Sequence, residues 1–212
     1  MQHYVVSFLA GSSGRFISSI VWNMINEIDQ VIEFTDVNSA HKQSPWEPSW
    51  THPTAESQRD SEIFNGLEFG GDCGLLATHT FLDYEVMRNN LPNVKAILIT
   101  IDRRDIEEIT HNTVVKNGKS PNNIPRRAKE FNHAFYIEKS PTRFIYKFYE
   151  PNIPEDLSDR ILNIQYSEIY KEVDGSFVAL EKLKSFTGKE CPPNVFSSYH
   201  QYVTNRNKLW NK

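Results

Sequence analysis

Apolar positions fall in two alternating kinds of block along the chain. Residues 4–9, YVVSFL, are β-branched and aromatic and stop short of Gly11, which predicts a buried strand. From Arg15 the spacing changes: Phe16, Ile17, Ile20, Val21, Met24, Ile25 and Ile28 recur at helical intervals. Ser18, Ser19, Asn23 and Asn26 are expected on the opposite face of that helix. Later apolar runs at 74–79, 94–101 and 161–164 predict further strands, the run VKAILITI being the most clearly central. Helices are expected at 83–90, from Asp105 to the Asn117-Gly118 stop, at 125–136, at 176–186 before Gly188, and beyond Cys191-Pro192-Pro193.

Strands that alternate with helices imply an α/β chain, with a parallel sheet covered by helices on both faces. Residues 36–71 break the rhythm. They are rich in Ser, Pro, His and Trp, with a short helix expected at 55–67, and a stretch this long without pattern is usually functional or disordered. Trp46 and Trp50 argue against disorder, where aromatics are depleted. No internal repeat and no linker appears, so residues 1–212 read as one domain carrying that irregular insert.

Composition narrows the function classes. A net charge of -4 gives no basic excess to displace counterions, which argues against a general nucleic-acid binder. Cys73 and Cys191 are too far apart to suggest a disulfide framework or a metal motif, and the histidines lack ligand spacing, so no metal is expected. No run approaches the ~20 apolar residues that span a bilayer, and the first residues carry no positive leader. A cytoplasmic protein without membrane partners is the expectation.

Three features carry candidate chemistry. Gly11-Ser12-Ser13-Gly14 lies between the first strand and the first helix, where backbone N–H groups and a helix's positive end can hold an anion. The same glycines also suit a plain strand-to-helix turn. The loop is not a Walker A sequence: its glycines are three apart and no lysine follows, although Arg15 stands next to it. His79 ends the second strand, where a neutral imidazole can take a proton from a hydroxyl, or serve only as a structural hydrogen-bonding residue. Arg103 and Arg104 leave the central strand for a helix containing Thr110; they can clamp phosphate oxygens or form a solvated turn.

Taken in order, these features resemble the sulfotransferase family. Ser13-Gly14 match the S-G of the family's P-K-S-G-T-T loop, which receives the 5′-phosphosulfate of the donor PAPS; Ser12 stands at its lysine position, and Arg15 and Phe16 at its threonines. Thr78-His79 look like the T-H pair whose histidine is the general base. Thr110 stands where the family has a 3′-phosphate-binding serine, but eight residues earlier is Asp102, so only a shifted register brings in Arg103 or Arg104. Residues 161–189 are similar to the family's later strand, Y-E-D-L-like turn and following helix. The glycine- and lysine-rich C-terminal donor segment is not recognisable, though Asn205-Arg206-Asn207-Lys208 offers basic side chains. The GSSGRF-like loop in a short chain also resembles sulfotransferase-like reading frames of tailed phages.

The resemblance implies a three-layer sandwich of the P-loop type, and sulfuryl transfer from PAPS to a hydroxyl or amine of a small-molecule or glycan acceptor. Gly11, Ser12, Ser13, Gly14, Arg15, Phe16, Arg103, Arg104 and Thr110 would hold the donor, with His79 and Arg15 catalytic. Trp46, Glu47, Trp50 and His52 would line the acceptor pocket, or form a surface loop pinned by its tryptophans. Two other readings stay open: a protein of this fold that binds a nucleotide or a protein partner without transfer, and a P-loop kinase of small metabolites. The missing Walker lysine speaks against the kinase.

Overall fold

Strand and helix periods alternate along the chain, and so do the elements they build. The computed structural model describes residues 2–8, 13–32, 74–78, 84–89, 91–101, 105, 135–139, 144–148 and 152–210. In chain order these hold β1 (His3–Phe8), α1 (Gly14–Ile25), β2 (Leu75–Thr78), α2 (Tyr84–Asn89), β3 (Val94–Thr100), β4 (Phe135–Lys139) and β5 (Phe144–Phe148). They continue with β6 (Ile161–Gln165), β7 (Glu172–Val173), β8 (Ser176–Phe177), α3 (Val178–Thr187) and α4 (Pro193–Trp210), with 3₁₀ segments at Glu155–Leu157 and Tyr166–Tyr170.

Among the described residues, four strands form one parallel sheet in the order β2-β1-β3-β6. Period-2 alternation divides its side chains between two cores. Tyr4, Val6, Phe8, Leu75, Ala77, Ile97, Ile99 and Ile164 join residues of α1, α3 and α4 on one face. Val5, Ala96, Leu98 and Ile161 meet Met87 of α2, Leu91 and Leu157 on the other. The expected mixed α/β chain with a parallel sheet is therefore present. Arg160 secures the second face by donating to the carbonyls of Met87, Leu91 and Val94.

α1 departs from its expected two-faced pattern. Ser18, Ser19 and Asn23 are buried along with the apolar residues. Burial is tolerable because each turns back on its own helix: Ser18 Oγ donates to the Gly14 carbonyl at 2.8 Å, Ser19 Oγ to Arg15 at 3.0 Å, and Asn23 Nδ2 to Ser19 at 2.8 Å.

Two further boundaries differ from expectation. Ser176 and Phe177 do not begin the helix; they pair with β7 as β8. The cause is local: Asp174 (φ 51) and Gly175 (φ 80) make a two-residue turn with both φ positive, the form that joins antiparallel strands. The helix expected at 125–136 ends in strand instead, Phe135 and Tyr136 belonging to β4, which pairs antiparallel with β5. These positions are aromatic and β-branched, suited to a pleated ladder. The α3 stop is as expected, with Gly188 left-handed at φ 69 and its N–H bonded to the Lys184 carbonyl at 2.9 Å. Lys95 reaches that helix end and donates to the Phe186 carbonyl at 2.9 Å. The insert 36–71 with its helix at 55–67, the helix expected after Asp105, and residues 125–134 lie outside the described residues. Among the described residues no helix is long and apolar enough to cross a membrane.

Sheet and helix approach each other closely at Gly14. A Cβ placed there would run into the ring of Phe8. At Gly188 a Cβ would meet nothing within 4 Å, so substitution costs only the left-handed backbone. Gly14→Ala is expected to lose about 3 kcal/mol, and Gly188→Ala about 1 kcal/mol, in urea unfolding. Equal losses would contradict the close packing at Gly14.

Candidate functional site

The strands of the sheet end nearly level. Thr78 lies opposite Ser7, Ile99 opposite Phe8, and Gln165 opposite Thr100. β1 leads to β2 on one side, whereas the chain after β3 returns on the other side as β6. The order thus reverses between β1 and β3, and ligands of open α/β sheets bind beyond the carboxyl ends at such a reversal. β1, β2 and β3 all end at this edge, at Phe8, Thr78 and Thr100, and α1 begins there at Gly14.

Of the residues singled out in the sequence, Ser13, Gly14, Arg15 and Phe16 are described; they form the N-terminal end of α1. Gly11, Ser12, Trp46, Glu47, Trp50, His52, His79, Arg103, Arg104 and Thr110 lie outside the described residues. Ser13 is left-handed, at φ 60 and ψ 20, and Gly14 begins the right-handed helix. That backbone pair turns successive N–H groups toward one point, the concavity in which proteins hold anions. A left-handed serine costs on the order of 1 kcal/mol or more. Arg15 is half-buried. Phe16 directs its side chain inward, stacked on Tyr202 with centroids 3.9 Å apart, so its contribution to a ligand is confined to its backbone.

Beneath the loop lies a polar cluster. The Ser13 hydroxyl makes no capping bond to α1. It shares a short hydrogen bond with Tyr170 OH and a second, at 3.3 Å, with Tyr202 OH. Arg206 Nη2 donates to Tyr166 OH at 2.7 Å, and its guanidinium carbon sits 3.1 Å from the Tyr170 ring centroid. The Tyr166–Tyr170 segment that supplies two of these rings is itself fastened. Tyr199 OH donates to the Ile169 carbonyl at 2.6 Å, and Lys182 pairs with Glu168 at 2.6 Å. Glu168 in turn accepts the Gln165 N–H at 2.9 Å.

Burial sets the electrostatics here. It pushes Tyr166, Tyr170, Tyr199 and Tyr202 above their ordinary value of 10, with the Asp105 charge adding to the rise at Tyr166. Burial pushes Arg206 down to about 9, while Asp105 acts in the opposite direction. At neutral pH the site therefore holds a cation, a nearby buried carboxyl group and four neutral phenols. Among the described residues no group of His, Cys, Asp and Glu could hold a metal.

Ser13 and Gly14 stand out in the sequence, whereas the side chains beneath them do not. Tyr170, Tyr202 and Asp105 carried no distinguishing pattern, and Arg206 stood out only as one basic residue near the C-terminus. The tyrosines at both ends of YSEIY, just after a strand, were the available signal. No protein-family model and no curated protein matches the chain.

These phenols make stability fall at alkaline pH. A group whose folded pKa is raised contributes stability that is present below its unfolded value and lost as pH rises through the folded one. Above pH 10, each such tyrosine should remove about 1.4 kcal/mol per pH unit. Arg206 acts the other way above pH about 9, one group against four. In a pH titration, tyrosinate absorbance from these residues should rise together with loss of circular dichroism. Their gradual ionisation near pH 10 in a folded chain would contradict the burial.

Proposed function

We propose that the chain transfers a sulfuryl group from PAPS to a hydroxyl or amine of a small-molecule or glycan acceptor, on a three-layer, P-loop-type sandwich. One observation carries this reading. β2, β1 and β3 are adjacent and parallel, so their carboxyl ends share one sheet edge, and in the sequence each of the three sulfotransferase-like motifs follows one of these strands. The left-handed Ser13 followed by the helical Gly14 suits the anionic end of such a donor, and so does the 12-residue helix behind them.

In this account the donor, when bound, supplies an activated sulfuryl group with a bisphosphate nucleotide as leaving group. The chain's own residues position and neutralise. Backbone N–H groups of residues 11–16 hold the phosphosulfate oxygens, and Arg15 supplies the charge that a lysine gives in the resembling loop. Arg103 or Arg104, with Thr110, holds the 3′-phosphate. His79, one residue past the end of β2, takes the acceptor's proton. The loop that includes Trp46, Glu47, Trp50 and His52 covers the acceptor. Positioning and charge stabilisation supply most of the rate.

A second reading, nucleotide binding without transfer, draws on one observation. The Ser13 hydroxyl is turned inward to Tyr170 and Tyr202, so that side chain is already engaged by the protein.

Calorimetric titration separates these readings. Adenosine 3′,5′-bisphosphate should bind with a Kd of roughly micromolar order, and Arg15→Ala should weaken it by about tenfold or more. ATP with magnesium should bind far more weakly. His79→Ala should keep the bisphosphate affinity and abolish transfer if the chain is an enzyme; a wild type that binds the bisphosphate but transfers nothing supports the second reading. Binding of neither nucleotide would overturn both.

A further inference from the structure

The loop end is held from beneath by side chains that arrive from the far end of the chain. Ser13 has a backbone that serine adopts only where its surroundings over-determine it, at φ 60 and ψ 20. Its hydroxyl is bonded to Tyr170 OH and, at 3.3 Å, to Tyr202 OH. Neither ring is free to swing. Tyr170 lies under the Arg206 guanidinium at 3.1 Å from its centroid, and Arg206 is fixed in turn by its 2.7 Å bond to Tyr166 OH. Tyr202 is stacked on Phe16 at 3.9 Å, so the phenol that reaches Ser13 also leans on the first turn of α1. Tyr202 and Arg206 stand four apart on α4 and therefore share one face of that helix.

We infer that Tyr170 and Tyr202 are positioning residues for the anion loop: they hold Ser13 left-handed, and with it the converging N–H groups that follow, without touching the ligand. The inference rests on the reading of this loop as the donor's phosphosulfate site. It differs from a role for the Ser13 hydroxyl as a ligand contact, because that hydroxyl is directed at two phenols. It also gives α4 a task beyond covering the sheet. One face of this helix, through Tyr202 and the Arg206 that braces Tyr170, sets the shape of a loop nearly two hundred residues earlier.

The test is the Tyr170→Phe/Tyr202→Phe double variant, which keeps both rings and removes both hydroxyls, made in the full chain. Amide hydrogen exchange over residues 13–17 should accelerate about tenfold, as expected for the loss of one or two ordinary hydrogen bonds. Exchange over β3 should stay unchanged, a difference that a general loss of packing would not produce. The Kd for adenosine 3′,5′-bisphosphate should rise by about the same factor. Loop exchange equal to wild type, equal acceleration over β3, or faster loop exchange with unchanged affinity would overturn the inference. If the double variant does not fold, Tyr202→Phe alone should show the same pattern at about threefold. A wild-type chain that binds no bisphosphate would sink the donor reading, and the exchange comparison would still decide whether the phenols hold the loop.

Discussion

The packing of Gly14 against the Phe8 ring is the constraint from which the rest follows. With no Cβ at Gly14, the first turn of α1 lies directly over the end of β1. That closeness buries α1 on every side, and its polar side chains must then return to their own helix carbonyls. It also sets where the chain re-enters the helix, beside the reversal of strand order between β1 and β3. A larger residue at position 14 would lift the helix and carry the loop away from that edge. Packing and site geometry are thus two consequences of one contact.

Beneath the loop, the protein accepts several unfavourable terms close together. Ser13 is left-handed, Arg206 is buried, and the rings of Tyr166, Tyr199 and Tyr202 are kept from water. Each is offset locally: the strained serine by two hydroxyl partners, and the guanidinium by a ring face, a phenol oxygen and the Asp105 charge. Removing one member exposes the costs of the others, so substitutions here should couple strongly. Strain kept in this way, at the mouth of a sheet's carboxyl edge, is commonly a property of a binding loop.

The four strands of the parallel sheet and α1 were legible because their signals are local. Period-2 and helical spacings, Gly11 and Gly188, and the apolar run 94–101 are all read within a short window. The Asp174-Gly175 turn was equally local and was passed over in favour of the helical pattern that begins beside it. The buried polar side of α1 was not legible. Serine and asparagine face water in a spacing argument, and only the surrounding tertiary structure shows that they are enclosed. The same holds for the site. Ser13 and Tyr170 are 157 residues apart, and Arg206 and Tyr166 are 40 apart, distances at which no motif connects them. The glycine loop suggested an anion site in the sequence; the contacts of Ser13 with Tyr170 and Tyr202 became visible only when α4 was packed beside it.

The proposed anion site lies at the edge where β2, β1 and β3 end, around the turn from Ser13 to Gly14. Backbone amide shifts during titration of isotope-labelled chain with adenosine 3′,5′-bisphosphate test it most directly. Saturable shifts should concentrate at residues 13–16, with smaller ones at Thr78 and Thr100, the ends of the flanking strands. Saturable shifts clustered on another surface, with residues 13–16 unmoved, would contradict it.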